Sequence, residues 1–458
     1  MSSVLLIAVP LLAAFLSILN KKIAPYLLLA VSFLLIVILG FLELETINIG
    51  GFSAPYGINL VLDNYSYIGL YVVNTLFFIV SAISVCNYKK IAPILLVALA
   101  GLNGLLLTGD LFNLFVFIEV SGIAAYLIST TNKKPVATFN YLVLGTVGSS
   151  LYLLGLIILY AMFGTLNMAD LALVMASSGA TSAQTALPFL LMFIGLGVEA
   201  KLLPFNSWVK GILGNSNKLS GPMIASVYAT AIALVFGRLL STVFVFSDQL
   251  MLIITIVVVF SILAGEAMAY ASSKLREILL FSSIAQAALV VLLFAIGLTG
   301  FAVLLAVVNG FSKLVLFLVV NHLEQETNTD ELNELSGVFS KNKVIGVGFT
   351  VTVLSVLGLP LFVGFIVKMN VLVELVKVDN FIIPAVILIS SVVEGVYFIK
   401  MLVKLWYSKQ DAKEVKFDLV TKYVVVVVAL LITLFGIYFE PLNELMSTIV
   451  NLSIGGIF

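Results

Sequence analysis

Eight ionisable side chains sit inside long apolar stretches of this chain: Glu119, Glu199, Lys201, Arg238, Glu266, Lys313, Lys368 and Glu394. A charge at the centre of a bilayer costs at least ~2.5–3.5 kcal/mol on insertion scales, so such a group is kept for a reason. Burial disfavours the charged form of a lysine, and a neighbouring carboxylate favours it again. Moving that partner loads or unloads a proton, and a row of lysines and glutamates with water between them passes protons through a bundle. Glu119, Lys201, Lys313 and Lys368 lie deep or beside helix breaks and are the candidate ion-transfer residues. Glu199, Glu266 and Glu394 are supporting candidates. Arg238 and Glu266 fall near the ends of their stretches, where snorkelling or simple pairing is the competing reading. Glu199 and Lys201 are two apart, so an unbroken helix turns them to nearly opposite faces. Lys201 is therefore expected to pair with a carboxylate from another span, and Glu119 is the candidate.

The elements that hold these residues are membrane spans. Of 458 residues, 62% are apolar and 10% charged, against roughly 25% charged in a soluble domain. The 23 basic and 23 acidic residues cancel. So few charges cannot cover a water-facing surface, and the chain reads as an integral membrane protein. Without net positive charge or a basic patch, nucleic-acid binding lacks an electrostatic basis. One cysteine, Cys86, and one histidine, His322, exclude a disulfide scaffold, an iron–sulfur cluster, a haem pair or a Cys/His zinc site within this chain. No GxxxxGK[ST] phosphate cradle is present, which speaks against an ATP-driven motor. The first apolar run is one of many, so it reads as a span and not as a cleaved signal.

A span needs about 20 apolar residues. Fourteen are read, at 4–20, 24–42, 64–86, 91–108, 111–130, 136–162, 186–204, 220–245, 250–271, 278–297, 301–321, 344–372, 381–405 and 420–439. No soluble domain fits between them. Basic pairs or clusters follow every odd-numbered span: Lys21 and Lys22, Lys89 and Lys90, Lys133 and Lys134, Lys210 and Lys218, Lys274 and Arg276, Lys341 and Lys343, and finally Lys404, Lys409, Lys413 and Lys416. The opposite loops hold mainly Glu43, Glu45, Asp63, Asp170, Asp248, Glu374 and Asp379, with Lys377 the exception. The positive-inside rule then puts the basic loops in the cytoplasm and both termini outside.

Proline interrupts spans seven and twelve. Span seven reads GVEAKLLPFNSW, with Lys201 before Pro204; span twelve reads GLPLFVGFIVK, with Lys368 after Pro360. Proline removes an i→i−4 bond and opens the helix. The two spans run in opposite directions, and the order of lysine and proline is reversed. That is the trace of an inverted repeat, whose broken helices meet ions near the midplane. Ordinary membrane kinks are the competing reading.

The chain resembles the antiporter-like membrane subunits shared by respiratory complex I, the Mrp cation/proton antiporters and the membrane-bound energy-converting hydrogenases. The likeness is closest to the D-type Mrp subunit and its hydrogenase counterpart. It is carried, in order, by GINLVLDNYS (57–66), GDLFNLFVFIE (109–119), GTLNMADLA (164–172), VEAKLLPFNSW (198–208), KLREILLFSSIAQ (274–286), NGFSKLVLF (309–317), GLPLFVGFIVK (358–368) and EGVYFIK (394–400). The likeness extends in order over nearly the whole chain. The resemblance implies an all-α polytopic fold of about fourteen transmembrane helices, with broken helices 7 and 12. Helices 1–3 would occupy 1–90, a first inverted five-helix repeat 91–245, a second 250–405, and the last helix 406–458. Glu119 and Lys201 would form the first half-channel's pair, Lys313 would sit on the central axis, and Lys368 would be the second broken-helix lysine.

The resemblance also implies H+ or Na+ transport, driven by a neighbouring redox module or an opposing ion gradient. The parent assembly would be a membrane-bound hydrogenase, another complex I-like complex or an Mrp-type antiporter in a prokaryotic plasma membrane. Other small hydrophobic membrane subunits would be the partners. No cofactor is expected in this chain; partner subunits could carry Fe–S clusters with NiFe or flavin. Four positions depart from the family pattern. Thr230 replaces a lysine of span eight, and Asn140 a lysine near the start of span six. Gly310 and Asn206 each replace a histidine. Thr230 and Asn140 can hold water or coordinate Na+ through oxygen, but neither carries a proton charge. Two other functional readings compete: a self-sufficient secondary transporter, and a structural relative that no longer pumps.

Overall fold

The structure is a computed structural model, which describes residues 2–85, 87–178, 182–244, 246–377, 381–407 and 413–444. Cys86, Asp379 and Lys409 lie outside those residues. The first half comprises α1 (Leu5–Leu19), α2 (Ala24–Leu39), strands β1 (Glu45–Asn48) and β2 (Asn59–Leu62), α3 (Asn64–Ser84), α4 (Ala92–Leu107), α5 (Leu111–Ser129), α6 (Pro135–Phe163), α7 (Met168–Ser177), α8 (Ser182–Glu199), α9 (Ser207–Leu213) and α10 (Ser220–Val243). The second half comprises α11 (Asp248–Ala271), α12 (Leu275–Ala295), α13 (Thr299–Thr327), α14 (Lys343–Leu357), α15 (Val363–Lys377), α16 (Ile382–Trp406) and α17 (Leu419–Ile437).

Among the described residues, eleven helices are long and apolar enough to cross a membrane. In a bilayer every backbone polar group must be satisfied within the protein, which is why the apolar runs fold as helices. Helices α10, α12 and α13 are almost wholly buried, whereas α6, α11, α16 and α17 turn leucine, isoleucine, valine and aromatic side chains outward. The outer helices thus form an apolar belt around a three-helix interior.

The expectation of a purely helical chain needs one correction. Glu45–Asn48 and Asn59–Leu62 pair as an antiparallel ribbon, Glu45 opposite Leu62 and Asn48 opposite Asn59. It falls in the polar stretch between α2 and α3, outside the apolar runs, where water can satisfy an open strand edge. The ribbon is tied into the bundle. Gly109 N–H donates to the Asn59 carbonyl, Met168 N–H donates to the Gly109 carbonyl, and the Asn167 amide donates to Asn59 Oδ1 at 2.9 Å. Directly after it, Asp63 and Ser66 form a reciprocal capping box that starts α3.

Where helices touch backbone to backbone, glycine is required. A Cβ on Gly195 of α8 would lie 2.5 Å from the Gly148 carbonyl oxygen of α6, and one on Gly155 would lie 2.5 Å from the Pro188 carbonyl oxygen. Small residues allow this approach, the usual basis of helix association in lipid. Gly195→Val is expected to destabilise the fold by about 1–3 kcal/mol through overpacking, read as a lower thermal transition of the purified protein. Gly395→Val, where a Cβ meets open space, should leave that transition in place; equal losses at both sites would contradict the packing argument.

Candidate functional site

Both proline-marked spans are broken. After Glu199 the chain leaves the helix, and Lys201 takes the left-handed backbone conformation with φ +65°. That conformation costs a non-glycine residue roughly 1–2 kcal/mol, so the surroundings must hold it. They do so with side chains: Ser261 of α11 accepts from Leu203 N–H at 3.0 Å, and Trp208 of α9 donates to the Val198 carbonyl at 3.0 Å. The second break lies between α14 and α15, with Gly358 and Leu361 both at φ +79°. Here the lysine itself serves an opened carbonyl: Lys368 Nζ donates to Leu357 O at 3.3 Å.

The breaks aim their lysines at one turn of α12. Lys201 Nζ donates to Ser283 Oγ at 2.8 Å, and Lys313 Nζ of α13 donates to Ser282 Oγ at 2.9 Å. Consecutive residues on a helix point about 100° apart, so the two ammonium groups approach this turn from two sides. One turn further along α12, Gln286 Nε2 donates to Glu394 Oε1 at 2.7 Å. The other Glu394 oxygen pairs with Lys368 Nζ at 2.9 Å, and both residues are buried. Glu266 of α11 is buried in the same region beside Tyr397, and its Oε2 has no hydrogen-bond partner among the described residues. A single turn, Ser282 to Gln286, thus connects both broken helices and α13.

Between Lys201 and Lys313 lies a cavity of about 30 Å³, bordered also by Thr230, Gln286, Asn309 and Gly310. That volume holds one or two waters. Asn309 Nδ2 and Gln286 Oε1 are buried and have no partner among the described residues, so polar groups are on hand to bind them. Thr230 faces Gly310 across the gap: a Cβ on Gly310 would come 2.5 Å from Thr230 Oγ1. Two of the departures from the family pattern are therefore one place in the fold.

The remaining expected residues divide. Glu199 accepts hydrogen bonds from Tyr126 and Tyr141, both at 3.3 Å, and Tyr141 stacks on Trp208 at 4.0 Å. Glu119, half-buried on α5, has Glu199 and Tyr126 as its electrostatic neighbours. The expected Glu119–Lys201 pair does not form, because the left-handed turn carries Lys201 to α12 while Glu119 stays beside the tyrosines. Tyr141, Gly145, Gly148 and Tyr152 set the inward face of α6, which leaves Asn140 exposed. Arg238 pairs with Asp63 at 2.8 Å, as the pairing alternative had it, whereas Glu266 is buried inside the protein. Sequence reasoning passed over Ser282, Ser283, Gln286, Tyr126 and Tyr141. The serines and the glutamine sat inside a phrase already singled out, KLREILLFSSIAQ, as three polar side chains in an apolar run. Among the described residues no cluster of three or more His, Cys, Asp or Glu could hold a metal.

Residues 108–394 match a family described as NADH:quinone oxidoreductase/Mrp antiporter, TM. The chain is 30% identical over 371 residues to NADH-quinone oxidoreductase subunit N of Desulforudis audaxviator (strain MP104C), covering 77% of this chain and 74% of that one. It is 28% identical over 371 residues to the D-type Na(+)/H(+) antiporter subunit of Bacillus subtilis (strain 168), covering 76% and 73%. Among solved structures, a chain of the membrane-bound sulfane sulfur reductase, an archaeal respiratory membrane complex, superposes with a TM-score of 0.90 at 24% identity, covering 98% of this chain and 97% of that one. A chain of the Mrp complex from Dietzia sp. DQ12-45-1b gives 0.89 at 19% identity, covering 98% and 96%. Both structures share the fold.

Removing one partner of the buried Lys368–Glu394 pair leaves an uncompensated charge. Glu394→Gln is expected to cost about 3–5 kcal/mol, and the double variant Lys368→Met/Glu394→Met to recover most of it. Thermal unfolding of the purified protein measures both. If the double variant is as unstable as the single one, the pair does not balance charge in the way described.

Proposed function

Because the chain belongs to the NADH:quinone oxidoreductase/Mrp antiporter transmembrane family, we propose that it carries H+ or Na+ along its row of buried lysines and glutamates. It is a multi-pass, antiporter-like membrane subunit of the Mrp and complex I-like kind. One observation supports the transport reading above the others. Lys201 and Lys313 meet adjacent hydroxyls of α12 across a cavity of water size, and the same turn reaches the Lys368–Glu394 pair through Gln286.

The chemistry follows from partner movement. An ammonium paired with a carboxylate holds its proton, and one left with a hydroxyl alone in a low-dielectric interior gives it up more readily. Lys368 meets a carboxylate and Lys201 a hydroxyl. Glu394 would shift between Lys368 and Gln286 as charge moves along the row. Protons would pass between Lys313 and Lys201 through the intervening cavity. Glu119 and Glu199, with Tyr126 and Tyr141, would feed Lys201 from the first half; Glu266 would steady Lys313.

The same reading assigns fourteen crossings: α1 to α6, α8 with α9, α10 to α13, α14 with α15, α16 and α17. The domains would be residues 1–90, inverted five-helix units at 91–245 and 250–405, and the closing helix within 406–458. The lysine-rich loops would face the cytoplasm and the termini the outside of a plasma membrane. Small hydrophobic membrane subunits would be the partners. In a redox-driven assembly such as a hydrogenase or NADH dehydrogenase-like complex, a soluble arm would carry Fe–S clusters with NiFe or flavin. Thr230 opposite Gly310 favours a second reading, a structural relative whose relay is interrupted.

Two experiments decide. In sealed vesicles of the native complex, Glu119→Gln, Lys201→Ala and Lys368→Ala should each lower coupled ion transport by roughly tenfold or more with assembly intact. Normal transport in all three sinks the residue assignments, and if Thr230→Lys also changes nothing the interrupted relative is the better account. Gentle purification from native membranes should then yield companion chains. Iron–sulfur with nickel or flavin marks a redox-driven pump, small membrane partners alone mark an Mrp-type antiporter, and a lone transporting chain refutes the reading as part of a larger complex.

A further inference from the structure

Three packing defects lie in sequence along α10. The water-sized cavity touches Ala225, Ala229, Thr230 and Ala233. Next comes a seam around Leu234, Val235 and Arg238 that leaves no room for water. Beyond it, Arg238 and Thr242 border a cavity of about 550 Å³ beneath the β-ribbon, together with Glu45, Asn59, Asn64 and Asn167. Ala233 and Arg238 are five residues apart, which is about 7.5 Å of helix. Along the stripe Thr230, Leu234, Arg238 and Thr242 of α10, the dry seam, bordered also by Leu105, Leu106, Leu114 and Met168, lies between the water-sized cavity and the large one.

The seam is held shut by charge. Arg238 Nη2 donates to Asp63 Oδ1 at 2.8 Å and Oδ2 at 3.1 Å, and its guanidinium lies 5.2 Å over the Tyr65 ring. The Tyr65 hydroxyl donates to the Leu234 carbonyl at 2.6 Å. Gly237 makes this grip possible, since a Cβ there would come 2.2 Å from the Tyr65 hydroxyl. Burial pushes the Asp63 carboxyl up, but Arg238 and the Ser66 hydrogen bonds outweigh it and hold it below the ordinary carboxylate range. The start of α3 therefore clamps the middle of α10. On either side of the clamped stretch α10 is π-helical, at Met223–Tyr228 and Leu239–Val243. Such segments have a displaced hydrogen-bond pattern and recur at functional sites.

We propose that the cavity beneath the β-ribbon is the mouth of the ion pathway on the face opposite the lysine-rich loops, and that the Asp63–Arg238 pair over the dry seam is its gate. The ligand is a hydrated monovalent cation or a proton-carrying water chain. This rests on the transport reading above. While the pair holds, the seam excludes water. When it parts, α10 is freed from Tyr65 and Asp63 and water can join the mouth to the cavity beside Thr230.

Cysteine accessibility in the assembled complex tests this, with Cys86→Ser as background and a membrane-impermeant thiol reagent. Thr242→Cys should react from the face opposite the lysine-rich loops. Val235→Cys should resist the reagent while the pair is intact and react roughly tenfold faster or more once Asp63→Asn removes it. Asparagine still caps α3, so this change removes the charge and keeps the cap. Arg238→Gln breaks the pair from the other side and must give the same acceleration. The proposal is overturned if Thr242→Cys is protected or reacts only from the lysine-rich face, or if Val235→Cys reacts equally with the pair intact and broken. Labelling reads water access alone, so the gate and the Lys201 transport assignment fail independently.

Discussion

A buried ammonium group must be hydrogen-bonded, and in this molecule one turn of α12 meets that demand for both halves. Ser282 and Ser283 receive Lys313 and Lys201, and Gln286 holds the carboxylate that receives Lys368. The rest of the interior can be derived from this. α12 has to be buried on nearly every side, because ligands reach it from the first broken helix, from α13 and from α16. Span seven breaks at its lysine, whereas in span twelve the break precedes α15, the helix that carries Lys368. The outer helices then supply the apolar rim that lipid requires.

The two breaks solve the same problem in different ways. In the first, the lysine occupies the break and adopts the left-handed conformation, while Ser261 and Trp208 satisfy the opened backbone. In the second, glycine takes one of the left-handed positions and the lysine, ten residues on from Gly358, reaches back to a freed carbonyl. The first lysine is left with a hydroxyl and the second with a carboxylate, so the two ends of the row are hydrogen-bonded unequally.

Much of this was legible in the sequence. Intramembrane charges are rare enough to stand out, and prolines beside Lys201 and Lys368 marked the interruptions. What could not be read was partner choice. The spacing of Glu199 and Lys201 correctly separated them, yet the partner of Lys201 is a serine, a residue too common in membrane helices to carry a signal. The outward facing of Asn140 could not be read either, because the inward face of α6 is set by Tyr141 and by glycines whose role shows only when α8 packs on them. The ribbon was missed for a related reason: short strands in a polar loop have weak periodicity, and tertiary contacts to Gly109 and Asn167 hold them in place.

Those contacts also impose an order on biogenesis. Asn59 is bonded to Gly109 and to Asn167, and Gly109 to Met168. The ribbon's own pairing is local, but its anchors can close only after α3 to α6 have been made and the chain has reached Asn167 and Met168. Residues near 60 must therefore wait on that surface until residues near 168 arrive. The ribbon is thus anchored by segments made well after it, and a stall in translation between α5 and α7 would leave its polar edges open to premature association.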